Sequence, residues 1–363
     1  MLVRAIKIRY VQAVRRLCRA AVPALIAIVT VLAFATPSSD AAPGLHWRLL
    51  DTGTNSHFRG LAAVSRSVAW VSGYDGVVLR TTNGGRTWSD VSVPGAGALQ
   101  FRDITAFGKR RAVVMAAGTG TTSRLYVTSD GGATWRLAYT NKNPAAFFDC
   151  MSFFDRRHGL VLSDPVNGKF RILRTSDGGA HWKVQSNSGM PPALPNEYGF
   201  AASGECLTTS GHDAWFGSGG ADGARVFHSR DGGHTWHVTR TPMRRSASAG
   251  IFGLAFDNFR HGIAVGGDYA HPSIADRVAS ISKPGRPWHL PPRGPYGYRS
   301  GVTFVPGSTG MALAVGLTGS DVSYDFGRHW AKFGTGQFDT VACTTGGACW
   351  ASGDFGRVAV LQR

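Results

Sequence analysis

The side chains of this 363-residue chain best suited to chemistry are four carboxylates, Asp149, Asp164, Glu197 and Asp268, and three arginines, Arg59, Arg102 and Arg299. Two carboxylates placed across a glycosidic bond act as general acid and base on a neutral glycan. An arginine cluster grips a carboxylate or another anion through charge-assisted hydrogen bonds. The same arginines beside Tyr74, Tyr198, Tyr269 and Tyr298, with Asp75 and Asp103 between them, are also the residue types that anchor a bound protein segment. These positions lie far apart in sequence, so either chemistry depends on elements that gather them.

Those elements are repeats. The phrases TTNGGRTW, TSDGGATW, TSDGGAHW, SRDGGHTW and SYDFGRHW end at Trp88, Trp135, Trp182, Trp236 and Trp330, and a degenerate copy, ISKPGRPW, ends at Trp288. The successive spacings of 47, 47, 54, 52 and 42 residues each suit one four-stranded propeller blade. Each copy follows an apolar run such as GVVLRTT at 76–82 and precedes another such as WSDVSV at 88–93, which places it in a hairpin. Its acid or amide (Asn83, Asp130, Asp177, Asp231, Asp325) is suited to accept bonds from turn amides, its glycines to supply left-handed backbone, and its Trp to wedge against a neighbouring hairpin. These groups are therefore assigned to structure. Units open near Phe58, Phe101, Phe147, Phe200, Ile251, Tyr298 and Phe338. The last has no box, whereas LHWRLLDTG at 45–53 is a box Trp and its strand with nothing before it. The predicted fold is thus all-β: a seven-bladed β-propeller of four-stranded antiparallel blades over residues 43–363, its N-terminal strand completing the last blade.

In such a ring the boxes lie on one face. The loops joining second to third strands and the links between blades build the other, where ligands are expected. The carboxylates, arginines and tyrosines named above all fall in those segments, as do Asp222, His271, Asp339 and Asp354. A sialidase-like site needs a Tyr nucleophile with a Glu, but Glu197 and Tyr198 are adjacent and a strand would point them apart. The Phe/Tyr-Arg-Ile-Pro phrase of sialidases is also replaced by FRGL and FRDI. Asp164 with Asn167, and His234 with His237, lack a diagnostic metal spacing, so no metal or cofactor is expected.

The first 42 residues differ in kind. Six basic residues up to Arg19 precede an uncharged run at 20–35, and small residues follow at 38–42. This reads as an export signal cleaved after Ala41 or Ala42, with an uncleaved anchor as the alternative. Its removal lowers the net charge from +17 to about +12. A basic exported chain favours anionic partners such as an envelope or membrane protein, a glycan or lipid headgroups, and the absence of a dense Lys/Arg run argues against nucleic acid. Four cysteines remain after the signal. Cys343 and Cys349 flank a hairpin turn and face each other if it pairs, and Cys150 with Cys206 is suited to a second bridge.

The phrase GYDGVVLRTTNGGRTW at 73–88 and the box-free ending GDFGRVAVL at 353–361 resemble the photosystem II assembly and stability factors of the Ycf48/HCF136 type. The resemblance covers nearly the whole mature chain. It implies an exported seven-bladed Asp-box propeller that acts without catalysis by binding a partner protein; a monomer is the expected state. SDPVNGKF, FGSGGADGARVF and VGGDYAHPSIADR depart from the pattern, and Lys283 stands where blade five should carry its box Asp. Asp boxes also occur in glycosidases, which leaves a secreted glycoside hydrolase or carbohydrate-binding propeller as the alternative.

Overall fold

The computed structural model describes residues 44–257, 261–283 and 286–363; the expected export segment at 1–42 lies outside them. Seven antiparallel sheets follow one another along the chain, and each blade runs from an inner to an outer strand. The inner strands are Phe58–Ala63, Gln100–Ala106, Phe148–Phe153, Leu207–Ser210, Ala249–Asp257, Gly301–Phe304 and Thr340–Cys343. The seventh sheet takes its outer strand from the other end of the chain, as His46–Leu50 pairs with Val358–Gln362 in the register Trp47↔Leu361. This is the closure read from the two half-repeats.

Blade five has three strands, and its fourth is reduced to a single bridge between Ile281 and His289. Pro287, Pro291 and Pro292 surround that bridge, and a proline has no amide hydrogen to extend a ladder. The same stretch is where the box is degenerate. The second difference lies before blade four, where the inner strand starts at Leu207 rather than near Phe200. Residues 199–206 leave the sheet and run into the centre of the ring.

One apolar cluster fills each of the seven inter-blade seams. Each box Trp enters the seam on the side of the preceding blade. Trp88 meets Trp350 edge-on at 6.4 Å, Trp135 meets Trp70 at 6.5 Å, and Trp47 reaches back to Phe333 at 5.7 Å. The boxes themselves share one circuit. In blade two the Thr128 hydroxyl donates to Asp130 at 2.8 Å and accepts from the Gly132 amide at 2.9 Å, while Asp130 accepts the Thr134 amide at 3.0 Å. The bonds from Thr134 and Thr128 hold the Asp130 carboxyl well below the usual carboxylate range. Gly132 has φ 86°, and a Cβ there would lie 2.6 Å from Val91 Cβ of the preceding blade. Its lack of a side chain lets the turn back onto that blade.

Arginines latch the same end of the ring. Arg80 donates to Lys109 O at 2.8 Å, Arg111 to Asp177 O at 2.7 Å, and Arg136 to Ala180 O at 2.7 Å, each reaching the next blade. Two disulfides are present: Cys343–Cys349 across its hairpin, and Cys150–Cys206 between blade three and the segment leading into blade four.

Because Trp47 also donates from Nε1 to Ser320 Oγ at 2.9 Å, it joins blade seven to blade six. Trp47→Ala is expected to destabilise the protein by about 2–4 kcal/mol in urea unfolding. Leu49→Ala on the same strand, 62% exposed, should stay within about 0.5 kcal/mol. Equal effects would mean that closure does not depend on the Trp wedge.

Candidate functional site

The face opposite the boxes owes its side chains to a repeated irregularity. In blades one, two, three and five the pairing of inner with second strand slips by one residue, and the skipped residues are Arg59, Arg102, Asp149 and Phe252. A bulge re-aims the side chain it carries, and here it does so at the same level of successive blades.

Arg59 and Arg102 come together around Tyr74, each guanidinium carbon 5.8 Å from the ring centroid. His57 stacks on Tyr74 with centroids 5.0 Å apart, and its Nε2 lies 2.7 Å from Asp339. Arg59 lies 3.8 Å from the same Asp339 and donates to Ala202 O at 3.3 Å. Arg102 donates to Ala201 O at 3.1 Å, to Gln100 Oε1 at 2.6 Å and to Tyr74 Oη at 3.4 Å. Among the described residues no carboxylate lies within 4 Å of the Arg102 guanidinium. Burial lowers its pKa, so the cation sits in a partly desolvated place with only neutral acceptors.

Arg299 does not join them. It is fully buried and paired with Asp321, its Nε 2.6 Å from Oδ2, and it also donates to Tyr298 O and Thr318. Tyr298 is buried too, and burial pushes its hydroxyl pKa upward. The position equivalent by repeat is therefore used inside blade six. Phe200 stacks on Phe252 at 4.2 Å, and Tyr269 stands edge-on to both, 48% exposed. Tyr198 and Asp75 are exposed on the same face.

The other acids are tied into the scaffold. Glu197 is buried and accepts from Arg225 Nε at 2.8 Å, Ser218 Oγ at 2.5 Å and the Leu194 amide at 2.9 Å. Asp268 accepts from Ser248 Oγ at 2.7 Å and the Ala270 amide at 3.0 Å, with His271 at 3.3 Å. Asp103 is buried and takes the Met151 amide of blade three at 2.6 Å, although burial raises its pKa. Among the described residues no three His, Cys, Asp or Glu side chains converge to hold a metal.

The floor of the face is the segment 199–206. Ser203 Oγ donates to Ser300 O of blade six at 2.7 Å, and Thr340 of blade seven donates to Ser203 O at 3.2 Å. Glu205 accepts the amides of Val302 at 2.5 Å and Val341 at 2.9 Å, while the Leu254 amide of blade five donates to its carbonyl at 3.0 Å. With Arg59, Arg102 and Cys150 also on this segment, a link read from sequence as strand closes the axis. His57, Gln100 and Glu205 were not singled out from sequence. Only the paired glycines Gly199 and Gly204 flanking small residues signal the close passage there: a Cβ on Gly204 would fall 2.5 Å from Asp103 Cγ.

Asp149 and Asp164 lie against this floor. Asp149 is buried, and its pKa rises well above the usual range through burial and the nearby Asp164. Asp164 accepts the Gly199 amide at 2.8 Å, and burial raises its pKa to about 6.

No protein-family model matches the chain, and no curated protein matches it by sequence. Fold and boxes together define a seven-bladed Asp-box β-propeller with a filled axis. Solved structures place that fold alongside Ycf48. A Ycf48 structure described as bound to D1 peptide superposes with a TM-score of 0.63 at 15% identity, over 90% of this chain and 98% of that one. Ycf48 from Cyanidioschyzon merolae gives 0.58 at 15% identity, over 87% and 98%. A GH74 xyloglucanase from Xanthomonas campestris gives 0.59 at 15% identity over 87% of this chain, which spans about half (53%) of that enzyme.

A carboxyl whose folded pKa is raised contributes stability below its unfolded value near 3.8, and that contribution is lost as pH climbs through about 6. Asp164→Asn should therefore stabilise the protein at pH 8, on the order of 2 kcal/mol, and flatten the decline in melting temperature between pH 4.5 and 8. Parallel pH profiles for variant and wild type would refute this.

Proposed function

We propose that the chain is an exported, non-enzymatic scaffold of Ycf48-like role. Its loop face holds an acidic or carboxylate-bearing segment of an envelope or membrane protein and aids that partner's assembly or stability. The observation that carries this reading is the Arg102 guanidinium, beside Arg59 on a shared tyrosine and hydrogen-bonded among the described residues only to neutral acceptors, with the Asp149 carboxyl acting on it from beyond 4 Å. A partly desolvated guanidinium fork with only neutral acceptors gains most from an incoming carboxylate. Tyr74, Tyr198 and Tyr269 add flat, amphipathic contact area of the kind that dominates binding hot spots. The filled axis leaves the surface of the face, rather than a tunnel, for the partner.

The description of one similar propeller as bound to a D1 peptide supports a peptide as the class of ligand. The bonds that Glu197 and Asp268 make within the scaffold and the burial of Asp149 support binding over glycan hydrolysis, which requires two carboxylates facing a substrate. Two disulfides fit an oxidising compartment and the signal-like N-terminus, and among the described residues no helix is long and apolar enough to cross a membrane.

Cross-linking capture from the native envelope, followed by peptide arrays tiled over the captured proteins, tests the reading. Free-acid peptides should bind at least about tenfold more tightly than their amidated forms, equivalent to about 1.4 kcal/mol. The double variant Arg59→Ala/Arg102→Ala should abolish that preference. Hydrolysis of xyloglucan or a fluorogenic sialoside by the purified protein, lost in Asp164→Asn, would overturn the proposal in favour of a glycosidase.

A further inference from the structure

A group of exposed basic residues lies on the opposite face. The turns joining first to second strands in blades two and three are GKRR at 108–111 and DRRH at 155–158, and they project beside the boxes. Lys109, Arg110, Arg156 and Arg157 are exposed there. Among the described residues Arg110 reaches only Ser129 O, Arg157 only Ser176 O and Arg156 only Phe107 O, all neutral acceptors. None has a carboxylate within 4 Å among the described residues. The acids nearby are occupied: Asp155 accepts the Arg157 and His158 amides at 2.6 and 2.8 Å, and Asp177 accepts the His181 amide at 2.9 Å. Together with Arg80, Arg111 and Arg136, whose cations bond to backbone carbonyls while those of Arg80 and Arg111 also lie over the Trp70 and Phe107 rings, this face carries a cationic band over three consecutive blades.

Two further features accompany the band. Exposed aliphatic side chains interleave with cations on the outer strands where these leave the boxes: Leu137, 47% exposed, follows Arg136, and Val184, 41% exposed, follows Lys183. Second, the chain enters the ring from this side. His46 opposes Gln362 at the box end of the closing strand.

We propose that the box face of blades one to three docks onto an anionic lipid bilayer, with Lys109, Arg110, Arg156 and Arg157 contacting headgroups and Leu137 and Val184 entering the interfacial layer. Cations alone would suit any polyanion. The aliphatics at the rim select a bilayer, because a soluble acidic polymer offers them nothing apolar. Docking this way leaves Arg59 and Arg102 on the far face, accessible to a partner.

The test uses the full chain with vesicles of phosphatidylcholine, with and without phosphatidylglycerol. Wild type should bind the anionic vesicles about a hundredfold more tightly, and the difference should shrink as salt rises, since the attraction of exposed cations to such a surface is screened by salt. The quadruple variant Lys109→Gln/Arg110→Gln/Arg156→Gln/Arg157→Gln should lose most of that preference while keeping the wild-type melting temperature, and Arg102→Ala should keep it. Should the N-terminal segment hold every variant on both vesicle types, hydrogen exchange decides. Anionic vesicles should then protect amides of turns 107–111 and 154–158 in wild type and not in the quadruple variant. Binding indifferent to phosphatidylglycerol, unchanged in the quadruple variant, or given to heparin and not to vesicles would overturn the proposal.

Discussion

A ring of seven sheets leaves a hole on its axis, and this chain fills it with its own backbone. Residues 199–206 meet every blade. Glu205 is the centre of the arrangement, because its buried carboxyl takes amides from blades six and seven while its carbonyl takes one from blade five. An unsatisfied carboxyl there would be costly, so the inner strands are held at the spacing its acceptors require. Burial raises its pKa, as it does for Asp103, Asp149 and Asp164 around the same segment. The Cys150–Cys206 disulfide fixes the end of the plug.

The loop face depends on that plug. Arg59 and Arg102 are oriented by the carbonyls of Ala202 and Ala201, and Phe200, one residue earlier, stacks on Phe252. Guanidinium and aromatic groups are thus arranged on opposite sides of one short strip of main chain. Displacing the strip would move both, whereas the boxes, on the other side of the sheets, would be untouched.

Much of the fold was legible because its signals are local and repeated. A box needs a hydroxyl, an acid or amide, one or two glycines and a Trp within eight residues, and its loss at Lys283 coincides with a fourth strand reduced to one bridge. The two half-blades and the Cys343–Cys349 pair were readable for the same reason, since each follows from one blade's strand order, whereas Cys150–Cys206 bridges neighbouring blades and strand order alone does not fix it. The face was less legible. Arg59, Arg102 and Arg299 occupy equivalent places in three repeats, yet Asp321, on the third strand of blade six, draws Arg299 inward. Nothing near Arg299 in sequence announces that partner. Residues 199–206 have the composition of an ordinary link, and their passage through the axis is set by contacts with residues up to 143 positions away.

The closing strand makes timing part of the architecture. His46–Leu50 and its ladder partner, Val358–Gln362, come from opposite ends of the propeller in sequence. The strand at 46–50 therefore stays without its ladder partner until residues 358–362 are in place, and only then can the circle shut. A chain lacking residues 358–362 would keep an open seam with unpaired strand edges, which proteases and aggregation can exploit.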